Sequence, residues 1–178
     1  MEEYTEALRL AWQLSHKYYA NYRVNSTKNT DFKMFIDTHS HIYDEAFDED
    51  RKEVVERARA EGLERIVLPA IDGESNERLF DMCREYGEYV VPLMGLHPTS
   101  VNDNPRWREE LQRVERYFAA PPAGVTFCAV GEIGLDYYWS EDFKAEQREA
   151  FVEQCRLAVR LDLPVVIHTR SAWDDMCD

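Results

Sequence analysis

Five short apolar runs, rich in β-branched residues, alternate along this chain with amphipathic stretches, and that alternation limits the folds it can adopt. The runs at 34–37, 65–70, 89–95, 126–130 and 164–167 read as strands. The stretches at 48–61, 74–86, 105–118 and 142–161 read as helices. Gly62 and Gly87 stand where the first two should stop, and Asp103 or Asn104 followed by Pro105 marks the start of the third. Strands that are apolar on both faces and separated by helices belong in a parallel sheet covered on both sides. Such a sheet is either doubly wound or closed into a barrel.

The polar residues that follow each strand decide between these. Asp37-Thr38-His39-Ser40-His41 follows the first and Gly95-Leu96-His97-Pro98 the third. Gly131-Glu132-Ile133-Gly134-Leu135-Asp136 follows the fourth and His168-Thr169-Arg170 the fifth. In a (β/α)8 barrel every strand opens onto one face, where groups from several strand ends converge. A doubly wound sheet concentrates its site at one switch point, often behind a glycine-rich first turn, and no such turn follows the first strand. The expected fold is therefore α/β, a partial (β/α)8 TIM barrel of about five βα units.

Residues i and i+2 of an extended segment face the same way, so His39 and His41 can meet one cation. Neutral imidazole is the commonest side-chain metal ligand. An acid placed directly after an apolar strand is costly unless paired, which makes Glu132 a candidate ligand shared between that cation and a second one at His168. Paired divalent ions lower the pKa of a water between them and clamp a phosphoryl group. His97 and Arg170 would then contact the phosphate, Arg170 through its planar fork. His97 can equally be a satisfied loop histidine. Arg170 can be solvated or can pair with Asp174 or Asp175.

Residues 1–33 differ from 34–178: five Lys or Arg there stand against four acids, whereas the whole chain has a net charge of −14. They read as an appended amphipathic helix near 4–21 and a polar linker, with His16 on the helix surface. With 44% hydrophobic and 31% charged residues, the composition is that of a globular protein. No apolar run is long enough to cross a bilayer and the N-terminus is unlike a signal peptide, so cytoplasmic placement and no membrane partner are expected. Cys83, Cys128, Cys155 and Cys177 form no C-x-x-C pair and are expected to be reduced and mostly packed. The acidity disfavours a broad nucleic-acid surface but allows a single phosphate or a chain end to be held through metal.

From Met34 onward the chain resembles the TatD family of metal-dependent deoxyribonucleases. The resemblance rests on Phe35-Ile36-Asp37-Thr38-His39-Ser40-His41, Gly95-Leu96-His97-Pro98 and Gly131-Glu132-Ile133-Gly134-Leu135-Asp136-Tyr137-Tyr138. Gln147, Phe151, Gln154, Leu157 and Ala158 add to it, with Leu163-Pro164-Val165-Val166-Ile167-His168-Thr169-Arg170. It implies a hydrolase of phosphodiester bonds acting at DNA ends. Implied with it are His39, His41, Glu132 and His168 as metal ligands, Glu132 as catalytic carboxylate, and His97 and Arg170 beside the substrate. Two divalent ions (Zn, Mn or Mg) are implied for a complete protein, and one for the portion seen here. The family barrel has eight strands, of which five are counted here. Its later metal histidine and its late aspartate have no counterpart, so a fragment is expected. Its barrel edges would be open to self-association or to a missing C-terminal half. The alternatives are a metal- or partner-binding remnant without activity, and an amidohydrolase-like enzyme for another bond type.

Overall fold

A computed structural model describes residues 35–177. The N-terminal extension expected at 1–33, with His16, lies outside the described residues. Strands and helices alternate as β1 (Phe35–Asp37), α1 (Arg51–Ala60), β2 (Leu63–Leu68), α2 (Asn76–Tyr86), β3 (Val90–Pro92), α3 (Trp107–Ala119), β4 (Val130–Asp136), α4 (Lys144–Leu161), β5 (Val165–Arg170) and α5 (Trp173–Cys177).

The pairing is parallel throughout: β1 with β2, β2 with β3, and β4 with β5. A parallel bridge between Met94 and Val130 joins the two groups. Gly131 N donates to Met94 O at 3.0 Å across that junction. A side chain at Gly95 would collide there with Ile133 and crowd the Gly131 backbone. Neighbours in space therefore follow chain order without reversal, as in a barrel wall and unlike a doubly wound sheet.

Several boundaries differ from the sequence reading. β4 starts at Val130, so Glu132 and Asp136 lie within the strand and not after it. Gly131 and Gly134 break the apolar pattern, yet they let β5 come close. At Gly134, with φ at +148°, a Cβ would strike the carbonyl oxygen of His168. β5 likewise runs on through His168 to Arg170. β3 is shorter than expected: a 3-10 turn at Gly87–Tyr89 precedes it, and it ends at Pro92, with Met94 left as an isolated bridge to Val130. α3 starts at Trp107 and not at Pro105. Asn104 still serves the turn before it, accepting from Arg106 N at 2.9 Å. The expectation of strands buried on both faces holds for β4 but not for β1 or β5, where Phe35 and Ile167 are exposed. Among the described residues, each of these two is hydrogen-bonded to a strand on one side only.

Helices dock on the sheet by three-and-four spacing. Gln147, Ala150, Phe151, Gln154, Cys155 and Ala158 form the buried face of α4. Phe151 and Cys155 pack with Val130, Ile133 and Leu135 of β4. Burying a side chain such as Phe151 contributes roughly 1.5–3 kcal/mol. A second apolar cluster, including Leu68, Leu79, Phe80, Trp107 and Phe127, lies beneath α2 and α3. Cys83 and Cys155 are buried free thiols, while Cys128 and Cys177 are exposed, against the expectation that most would be packed. No described helix is long and apolar enough to cross a membrane.

Candidate metal centre

Groups from just beyond β1 and β3 and from within β4 and β5 meet around the carboxylate of Glu132, which is only 6% exposed. His39 and His41 sit just beyond β1. Arg51 fixes the loop that follows by donating to the carbonyls of Ile42, Tyr43 and Asp44. His97 follows β3, held by Gln154 of α4, which accepts from Leu96 N at 2.7 Å and donates to Leu96 O at 3.1 Å. Glu132 and His168 come from the paired strands β4 and β5, where Gly134 faces His168.

His39 Nε2 lies 3.1 Å from Glu132 Oε2 and 3.1 Å from His41 Nε2, and His41 Nε2 lies 3.8 Å from Glu132 Oε2. Atoms bound at about 2.0–2.1 Å to a tetrahedral cation stand roughly 3.3–3.4 Å apart. The triangle of His39, His41 and Glu132 therefore fits one divalent ion. On the other side His168 Nδ1 is 3.1 Å from Glu132 Oε1, and His97 Nε2 is 3.9 Å from Glu132 Oε2. His97, Glu132 and His168 offer ligand atoms within 4.8 Å of one another.

Hydrogen bonds on the far side of each ring sort the histidines by what they present to the centre. The Tyr43 hydroxyl donates to Pro69 O at 2.6 Å, so its oxygen accepts from His41 Nδ1 at 3.0 Å. His41 then offers a lone pair at Nε2. His168 Nε2 donates to Asp136 Oδ2 at 2.9 Å, which leaves Nδ1, 3.1 Å from Glu132 Oε1, as the nitrogen that could meet a cation once its proton is displaced. His97 is the reverse. Its Nδ1 accepts from Thr99 N at 3.2 Å, so in the neutral ring Nε2 carries the proton and acts as a donor. A ring held in that tautomer suits an anionic oxygen better than a cation.

The electrostatics agree with that sorting for His41 and His97, and favour a protonated His168 between its two carboxylates while no cation is bound. Burial, and then charge on His168, pushes His97 down to about 4, so it is neutral near pH 7. Burial and the neighbouring His39 also lower His41. Burial would raise Glu132, but the His168 hydrogen bond and the nearby His97 and His39 outweigh it and keep the carboxyl ionised. Hydrogen bonding to Glu132 raises His168 against the effect of burial, with Asp136 adding to the rise.

Asp136, Tyr43, Gln147 and Gln154 had no assigned role in the sequence reading. Asp136 is 1% exposed, and Gln147 brackets it by accepting from its N–H and donating to its carbonyl, each at 2.8 Å. One signal for Asp136 was available: 132, 134 and 136 share a strand face. Arg170 is exposed, as in the solvated alternative, and it also stacks on an aromatic ring. Its guanidinium lies 3.6 Å over the ring of Tyr138, while Asp175 pairs with Arg148 at 2.8 Å.

The TatD related DNase family description matches residues 36–178. The protein named uncharacterized metal-dependent hydrolase YabD, of Bacillus subtilis, is 37% identical over 147 residues, 80% of this chain and 53% of its own length. The 3'-5' ssDNA/RNA exonuclease TatD of Cronobacter turicensis is 37% identical over 126 residues, 71% of this chain and 45% of its own. The crystal structure of YJJV, a TatD homologue of Escherichia coli K12, superposes with a TM-score of 0.69 at 32% identity, over 80% of this chain and 53% of that one. The chain thus spans about half the length of the curated relatives it matches.

Proposed function

We propose, because this chain belongs to the TatD related DNase family, that its strand-end cluster is the metal-binding part of a phosphodiesterase acting at the ends of single-stranded nucleic acid. One observation carries the reading. His41 presents a lone pair at Nε2 and His168 presents Nδ1, whose proton toward Glu132 a cation would displace, while His97 turns a neutral N–H donor toward the same space. A site that binds cation and phosphate together needs both kinds of group.

In this assignment His39, His41 and Glu132 hold one divalent ion, and Glu132 and His168 belong to a second. Zinc and manganese both suit histidine and carboxylate donors. Such ions, when bound, lower the pKa of water and offset phosphate charge. The side chains supply the rest. Glu132 gives one oxygen to each half of the centre. His97 donates Nε2–H to a phosphoryl oxygen, and being neutral it does so without repelling a cation. Arg170 brings a fixed positive charge to the rim. Tyr43 and Asp136 hold the rings of His41 and His168 in the ligating tautomer.

The test is metal-dependent release of nucleotides from a single-stranded oligodeoxynucleotide, run beside calorimetric titration with manganese and zinc. Glu132→Gln is expected to lower metal affinity and to cut any turnover by at least roughly 100-fold. Equal metal binding and turnover in Glu132→Gln would overturn the assignment. Hydrolysis of carboxylic ester or amide substrates in place of the oligonucleotide would move the protein to another bond class.

A further inference from the structure

Just past the C-terminal end of β4, two large aromatic side chains, Tyr138 and Trp139, are 55% and 67% exposed. They are not scattered. Their rings meet edge to face with centroids 4.9 Å apart. The Arg170 guanidinium lies 3.6 Å over Tyr138 and 5.6 Å from the Trp139 centroid. The cluster is also tied to the metal centre. Tyr138 N donates to Asp136 Oδ1 at 3.0 Å, and the other oxygen of that carboxylate holds His168 at 2.9 Å. β5 completes the link, since Tyr137 N donates to Arg170 O at 2.9 Å.

We propose that Trp139, Tyr138 and Arg170 form a stacking platform for the nucleobase of a single-stranded nucleic-acid end whose phosphate lies at the neighbouring centre. The proposal rests on the phosphodiester reading given above and adds a base subsite to it. Tyr138 covers one face of the guanidinium and so fixes its plane, leaving the planar cation and the indole face open to a flat partner. Every base has such a face, but inside a duplex both faces are covered by neighbours, so a platform of this kind favours an unpaired strand end. The charge is suited as well. Arg170 places a cation at the rim of a chain whose net charge is −14, so a polyanion is favoured locally and not along the whole surface.

The test compares two fluorescein-labelled, phosphorothioate-protected strands of equal length, an oligothymidylate and an all-abasic tetrahydrofuran strand. Binding to the 178-residue chain with manganese is followed by anisotropy. The wild type is expected to bind the base-bearing strand roughly 5- to 150-fold more tightly than the abasic one. Trp139→Ala should lose most of that preference and leave abasic binding unchanged, and Trp139→Phe should keep much of it. Equal affinity of the wild type for both strands would overturn the platform without needing any variant. So would a folded Trp139→Ala, checked by circular dichroism, that retains the full preference. Failure of the wild type to bind either strand would remove the phosphodiester reading itself, and the platform with it.

Discussion

Asp136→Asn puts the tautomer argument to its hardest test, because the substitution keeps shape and removes only charge and one acceptor. Both carboxylate oxygens face N–H donors: His168 Nε2 at 2.9 Å and Tyr138 N at 3.0 Å. The group is 1% exposed, so water cannot replace either bond. An amide has one oxygen and one NH2, and whichever donor meets the NH2 loses its partner. An orphaned buried donor costs roughly 1–3 kcal/mol. If the backbone keeps the oxygen, His168 is free to turn or to change tautomer. Loss of such an outer partner weakens metal binding by about 10–100-fold, or about 1.4–2.7 kcal/mol. The ion at His39 and His41 should change far less, since no hydrogen bond joins those rings to Asp136 among the described residues. Calorimetric titration with zinc or manganese reads the two affinities, and thermal melting in chelator reads the stability. Unchanged metal affinity in a folded variant would refute the claim that Asp136 sets the ligating nitrogen.

Three further outcomes follow from other parts of the fold. Gln154→Met keeps volume but strips the partners from Leu96 N and O, so urea unfolding should show a loss of roughly 2–4 kcal/mol with an unchanged denaturant slope; a loss near zero would mean the clamp is incidental. Gly134→Ala should cost roughly 2–4 kcal/mol and displace β5, read as a fall in melting temperature together with weaker metal binding at His168; wild-type values for both would contradict the close approach. For pH, burial depresses His97 from 6.5 to about 4, so its contribution is complete above 6.5 and is lost as pH falls through about 4. In chelator, the stability difference between wild type and His97→Asn should shrink by up to roughly 3 kcal/mol from pH 7 to pH 4, and a difference that stays constant would count against a buried neutral ring.

The strand-helix alternation was legible because each unit carries its own signals: an apolar run, a glycine stop, a polar strand end. The convergence of His39, His41, Glu132 and His168 was legible for the same reason, since strand polarity alone sends those positions to one face. The extents of β4 and β5 were not. Gly131 and Gly134 look like strand breakers until the neighbouring backbone is seen pressed against them. The groups that orient the ligands were hidden more deeply. Tyr43 acts through the carbonyl of Pro69, and Gln147 and Gln154 act through backbone atoms 11 and 58 residues away. No periodicity encodes a hydrogen bond to a distant peptide group. Arg170 was expected to contact the phosphate, but its stacking partner Tyr138 comes from another strand end and has no local signal.

Glu132 turns one oxygen toward His39 and His41 and the other toward His168. A single negative charge therefore serves both halves of the centre. In the proposed two-ion centre, whichever half fills first would draw on that charge, and a second ion would meet a carboxylate already partly neutralised. The two affinities would thereby be linked, with the later step the weaker and the more readily reversed. Metal supply would then set not only whether the centre is loaded but how far, so a half-filled state can persist over a range of ion concentration.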